Sequence, residues 1–425
     1  MPICMDSRAN ISIPNSHQDN SSVAACDILV KLFLLFLPFS QVLTIDVLFP
    51  LKLSEIFLII ILLIKLTTGE ITRWMLPKPT AWVLIIFVSI VLISLILNAF
   101  WGYSYPFDQN IARFSPLVDS VLKFFYIIIA LLALVVTYNA LKKDASIINF
   151  FYWGGIISAS YGWYLFIFGA LKLPTPLLPG TYELAKYNAG FGDIIRGATF
   201  KEGNYMSLYL LVLAIISFYN KKNKLAYFFF LSIITTFSST AIACSIVFFV
   251  IIIFNKYKKH KLKLLVTLFS VIITLVLLIQ FSTGFRGVFY NKIFGTEDSV
   301  ENQNDLYSKA ERLNTAAVGI EVSKNNPFWG VGPANYGLHY RHYNTISAFD
   351  IEGKHIPNNI YVEVLSECGG LAFITFLFFL FGIYRYGKRK SQILAAGLIS
   401  VYIYFFAFPT FTMLFIWVFL GIVLV

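Results

Sequence analysis

Apolar runs, most of them about 15–25 residues long, recur along almost the whole chain, separated by short polar or basic stretches. The pattern predicts twelve helices, near 28–44, 51–67, 80–99, 121–141, 147–171, 204–219, 224–238, 240–254, 262–282, 359–384, 391–406 and 408–424. A hydrocarbon core about 30 Å thick asks for helices of roughly this length. Two polar stretches interrupt the pattern, residues 1–27 and 283–358. The first has no basic region followed by a small-residue cleavage site, so the first apolar run reads as a retained span instead of a removed signal.

Composition agrees with the pattern. Side chains are 58% hydrophobic, 17% aromatic and 13% charged, which is too apolar for a soluble chain. The fold class expected is all-α, a polytopic integral membrane protein of about twelve transmembrane helices with one large extramembrane loop. Lys and Arg gather at Arg73/Lys78, at Lys142/Lys143, in "KKNK" at 221–224, in "KYKKHKLK" at 256–263 and in "RYGKRK" at 385–390. With an inside N-terminus and twelve spans, every cluster falls on the cytoplasmic face. The net charge of +11 is therefore a topology signal, and nucleic acid is not an expected partner. The chain then divides into a cytoplasmic tail (1–27), nine spans (28–282) with a small outer loop at about 172–203, a large outer loop (283–358) and three closing spans (359–425). Cys4, Cys26, Cys244 and Cys368 are scattered without C-x-x-C spacing, which indicates neither a disulfide framework nor a zinc site.

Two glycine-bearing stretches imitate nucleotide motifs. "GIYRYGKR" at 382–389 resembles a phosphate loop, but Arg389 replaces the required hydroxyl and no strand precedes it. "GFGDIIRG" at 190–197 lacks the dinucleotide spacing, and no soluble domain is present to use it. The chemistry is expected instead in the two outer loops. The large one holds three of the five His (His339, His342, His355) together with Arg286, Arg312 and Arg341. The small one carries "RGATFKEGNY" at 196–205, with Arg196 and Glu202, just before a span. In "HYRHY" at 339–343, with Asp350 and Glu352 following, a metal site, a phosphate or sugar contact and ordinary loop packing all stay open. Glu363 and Glu367 lie one turn apart at the start of a span, suited to substrate contact or to a capping and interhelix role.

"NPFWGVGPANYG" at 326–337 followed by "PNNIYVEVLSECGG" at 357–370 resembles the signature region of the O-antigen ligase and O-antigen polymerase family. Arg312 matches the upstream Arg of that signature. Gly330, Gly332 and Pro333 match its turn, and Asn359, Tyr361, Glu363, Glu367 and Gly369 match most of its helix opening. "RGATFKEGN" at 196–204 is similar to the family's earlier motif. The resemblance implies a GT-C-like membrane glycosyltransferase in the bacterial inner membrane with its site facing the periplasm. It would act on undecaprenyl-diphosphate-linked oligosaccharides as donor and acceptor. A chain-length regulator and a flippase are the protein partners it implies, beside membrane lipids; neither a cofactor nor a metal is expected.

Diphosphate is a concentrated anionic leaving group, and fixed guanidinium groups suit its neutralisation. Arg312, Arg196, Asn358 and His355 are the expected catalytic residues, with Arg341, Arg286 and His339 as further substrate contacts beside Tyr361, Glu363, Asn359 and Glu202. Paired surface arginines are the alternative reading for that set. The sequence departs from the ligase pattern twice. Asn358 stands where ligases place a His, and an amide cannot take a proton. His355 would substitute only through a folded-back loop. "SSTA" at 238–241 also lacks the Arg that ligases show there. Both departures favour polymerase over ligase, with a lipid-linked oligosaccharide transporter as the remaining class.

Overall fold

A computed structural model of the chain describes residues 16–46, 50–69, 75–100, 115–181, 186–188, 193–260, 300–350 and 353–425, with isolated positions between 262 and 280. The architecture is helical, as expected, with two small antiparallel ribbons. The helices are α1 (Ser16–Phe36), α2 (Leu53–Thr67), α3 (Lys78–Phe100), α4 (Pro116–Lys143), α5 (Ile148–Ala170), α6 (Gly203–Tyr219), α7 (Asn223–Ser232) and α8 (Ser239–Tyr257). After them come α9 (Val300–Asn325), α10 (Tyr336–Tyr343), α11 (Ile360–Lys390), α12 (Gln392–Tyr404) and α13 (Leu414–Leu424). The ribbons pair β1 (Ile45–Asp46) with β2 (Pro50–Leu51), and β3 (Lys186–Asn188) with β4 (Asp193–Ile195).

Among the described residues, α3, α4, α8 and α11 are long and apolar enough to cross a membrane, and α6, α12 and α13 are shorter apolar helices. The ninth expected span lies mostly outside the described residues. α1 starts earlier than expected, at Ser16, and stops at Phe36, two residues before Pro38. Proline has no N–H to donate and disfavours helical geometry in the residue before it. The seventh expected span is α7, ten residues long, continued by a 3-10 turn at Ile233–Thr236.

The core is built around α6, in which every side chain from Met206 to Ser217 is buried. A helix that is apolar all round belongs inside a bundle. α7 and α12 pack against it, α13 lies along α4, and α11 lies along α3. Capping residues set several helix starts: Ser115 accepts from the Val118 N–H before Pro116 opens α4, and Asn359 opens α11. The described part of the polar segment before α11 is itself largely helical, from Val300. α9 packs against α11, and Gly319 allows this approach, since a Cβ there would lie 2.3 Å from Val362. α9 and α10 share a small core of Val318, Val322, Val331, Tyr336 and Tyr340.

Candidate functional site

α11 is broken near its start. Gly369 takes φ 85° and ψ 174°, which leaves carbonyls on the turn before it without their usual helical donors. The Gly330–Pro333 turn supplies replacements: Val331 N–H donates to Ser366 O (3.0 Å) and Gly332 N–H to Glu367 O (2.9 Å). In return Gly370 N–H donates to Pro327 O (2.8 Å), and the Glu367 carboxylate accepts from Ala334 N–H (2.8 Å). The turn is tied to two more helices. Ser94 on α3 donates to Trp329 O, Ser120 on α4 donates to Pro333 O (2.8 Å), and Asn335 Nδ2 donates to Ser120 Oγ (2.9 Å). An interrupted helix at membrane depth requires this kind of satisfaction of its backbone groups.

The second motif meets Arg312 at the N-terminus of α6. β4 docks on the end of α5, where Gly169 permits close approach to Asp193 O, and delivers Arg196. Thr199 holds the following loop through Ser158 on α5 (2.7 Å) and through the Gln41 N–H (3.1 Å). The stem of Arg196 then passes Gly203, the first residue of α6; a Cβ there would lie 3.2 Å from the Arg196 stem and 2.5 Å from Thr236 O. Next to it, with the Asn204 amide oriented so that its nitrogen donates to Ser238 Oγ (3.0 Å), its oxygen accepts from both terminal nitrogens of Arg312, at 2.9 and 3.3 Å. Tyr404 Oη on α12 closes the cluster, 2.8 Å from Ser207 Oγ, 3.1 Å from Ser238 Oγ and donating to Asn204 O at 3.1 Å.

Asn358 adjoins this cluster. Thr315, one turn along α9 from Arg312, donates to Pro357 O at 3.2 Å. Asn358 itself has φ 52°, in the left-handed region. Ala198, Phe237 and Ala334 do too, at φ 50°, 50° and 65°. Four non-glycine residues in this sparsely populated conformation thus border the two motifs, and such strain concentrates at functional sites. Asn359 is the cap of α11, its Oδ1 accepting from Tyr361 N–H (3.0 Å) and Val362 N–H (3.3 Å).

Buried Glu363 forms an ion pair with Lys123 of α4. It also accepts from Thr410 Oγ1 (2.9 Å) and Phe411 N–H (3.0 Å). Tyr361 Oη donates to Tyr402 O (2.9 Å). Both residues therefore hold α11 to its neighbours, and the geometry fits the interhelix role for Glu363 that the sequence left open.

The remaining expected residues lie farther out. Arg341 pairs with Asp350 at 2.9 Å, both substantially exposed. His339 is buried, and its pKa is depressed to about 4, first by burial and then by the charge of His342. The His355 ring stacks on Tyr340 at 3.8 Å. Glu202 is half-buried at the residue before α6, and Arg286 lies outside the described residues. Among the described residues no three His, Cys, Asp or Glu side chains converge as metal ligands do.

Residues 224–377 match the family described as O-Antigen ligase. The resemblance read from the sequence is shown over this span, from α7 to the middle of α11. No curated protein matches the chain. The O-antigen ligase family comprises membrane glycosyltransferase-like enzymes of ligase or polymerase type. The matched span contains Ser238, Arg312, the Gly330–Pro333 turn, Asn358 and Glu363, whereas Arg196, Asn204 and Tyr404 come from outside it. Sequence reasoning missed the groups that join the motifs. Ser94 is a lone polar residue in an apolar stretch, Ser120 follows Asp119 just before the expected span, and Lys123, a lysine inside that span, was the available signal.

Proposed function

We propose that the protein is an O-antigen polymerase, joining lipid-linked oligosaccharide repeat units at the outer face of the inner membrane. The observation that carries polymerase over ligase is Asn358, an amide held in left-handed geometry at the opening of α11 where ligases place a base. An amide orients a hydroxyl but does not deprotonate it.

The donor's diphosphate sits between Arg312 and Arg196, at the N-terminus of α6. The positive end of the helix dipole there adds to the two guanidinium charges. As the bond between the anomeric carbon and the phosphate oxygen breaks, negative charge grows on the leaving diphosphate and these groups stabilise it. The acceptor sugar approaches from the Asn358 side; its hydroxyl oxygen forms the new bond to the anomeric carbon, and its proton passes to the departing diphosphate. No metal is needed in this scheme. The undecaprenyl chain lies in the bilayer beside the bundle. Charge supports a periplasmic orientation of the Arg312 cluster: α4, α8 and α11 carry basic residues in their last turns, as cytoplasmic helix ends do. Cysteines placed in 300–358 should then react with an impermeant thiol reagent added from outside an opened outer membrane.

The deciding experiment is the surface polysaccharide of a deletion strain. A single repeat unit left on lipid A core supports the polymerase. Bare core means ligase, and transport of labelled lipid-linked repeat across proteoliposomes without a new glycosidic bond means transporter.

A further inference from the structure

At the opposite end of the bundle from Arg312 is a recess of about 470 Å³. It is formed where the ends of α4, α6, α11 and α13 meet the start of α5. Leu141, Tyr219 and Ile422 give it apolar walls, and Lys222 and Lys390 supply positive charge. The lysines come from distant parts of the chain. Lys222 Nζ donates to Asn149 Oδ1 (2.8 Å) and lies 4.5 Å from the centre of the Tyr152 ring. Lys390 Nζ donates to Val423 O (2.8 Å). Each ammonium carries three donors, so each keeps capacity for an anion.

Among the described residues, no Asp or Glu side chain lines the recess. The nearby acids are turned to other partners: Asp144 accepts from the Ser146 N–H (2.8 Å) and hydroxyl (2.9 Å), and Asp27 pairs with Lys143 (2.7 Å). A cationic, partly apolar recess at the basic ends of membrane-crossing helices lies at the level where lipid headgroup phosphates sit. We propose that this recess binds the phosphate of an anionic membrane lipid, with Lys222 and Lys390 contacting the phosphate and the apolar walls contacting the glycerol and first acyl carbons. The proposal is independent of the glycosyl-transfer reading.

The test uses the full chain, purified and delipidated in detergent, with native mass spectrometry and thermal unfolding as readouts. Phosphatidylglycerol should be retained and raise the Tm, while phosphatidylcholine and inorganic phosphate at equal concentration do neither. Lys222→Ala combined with Lys390→Ala should weaken phosphatidylglycerol retention roughly 30-fold, from two near-surface lysine contacts. Asn149→Asp places a carboxylate beside Lys222 and keeps a partner for its ammonium, so it should fold normally and also lose the lipid. Lys388→Ala combined with Arg389→Ala, on the same helix end outside the recess, should retain it. Three results overturn the proposal. One is unchanged retention in the Asn149→Asp protein. Another is equal stabilisation by inorganic phosphate, which means a free-anion site. The third is equal loss in the Lys388 and Arg389 control, which means diffuse surface charge.

Discussion

Gly332 donates its backbone N–H to the carbonyl oxygen of Glu367 at 2.9 Å, so a loop turn takes the place of the next turn of a helix. Gly369 makes this exchange possible. A Cβ there would meet Phe328 O at 2.2 Å, and φ 85° is unfavourable for any other residue. Gly369→Ala is expected to destabilise the protein by about 1–3 kcal/mol from backbone strain alone, with steric overlap in addition. A lowered Tm in detergent, with polymer lost in proportion to protein, checks this.

Arg312→Ala is expected to abolish polymer at normal protein level, a loss on the order of 10²–10³-fold if one anion-stabilising group is removed. Arg312→Lys should remain weak, since a point charge does not reproduce a bidentate contact. Activity of the purified enzyme should survive EDTA. Loss with EDTA and recovery with magnesium or manganese would contradict a guanidinium-only scheme.

Asn358→Gly separates backbone from side chain at the α11 opening. Glycine accepts φ 52° without strain, so the protein should fold normally yet make little polymer. Asn358→Asp should also be damaging, because it loses the amide donors and adds negative charge near diphosphate. Asn358→His should create no ligase activity. His355→Ala should cost little, whereas a general base would cost about 10²–10⁴-fold on removal. Near-complete loss in His355→Ala with Asn358→Ala almost unaffected would make His355 the base.

Glu363→Gln leaves Lys123 without its counter-ion inside the bundle. Removing one partner of a buried pair costs about 3–5 kcal/mol. Adding Lys123→Met removes the stranded charge and should restore a large part of that loss. Tm values for the two single variants and the double variant give the coupling directly; additive losses would mean that the pair is not a structural unit.

His339 introduces a pH dependence. Its folded pKa of about 4 lies below the ordinary value of about 6.5, so the unfolded chain binds more protons between these values. The neutral imidazole's contribution is fully present above pH ~6.5 and is lost as pH falls toward ~4, to a total of about 3 kcal/mol. Unfolding measured across that window should flatten in His339→Phe.

Run lengths and the rarity of charge already mark a helical membrane protein, because backbone groups in hydrocarbon have few alternatives. The sequence also located the motif residues: Arg196, Arg312, the Gly330–Pro333 turn and Asn358 are local patterns that need no partner to be recognised. What those patterns meet depends on packing between distant parts of the chain. Asn204 touches Arg312, Tyr404 joins Ser207 to Ser238, and Lys123 neutralises Glu363, all across long sequence separations. Hydropathy and periodicity describe one helix at a time. The break at Gly369 shows the limit most clearly: the apolar run 359–384 reads as one uninterrupted span, and a glycine within it carries no sign that a loop some forty residues upstream will complete its hydrogen bonds.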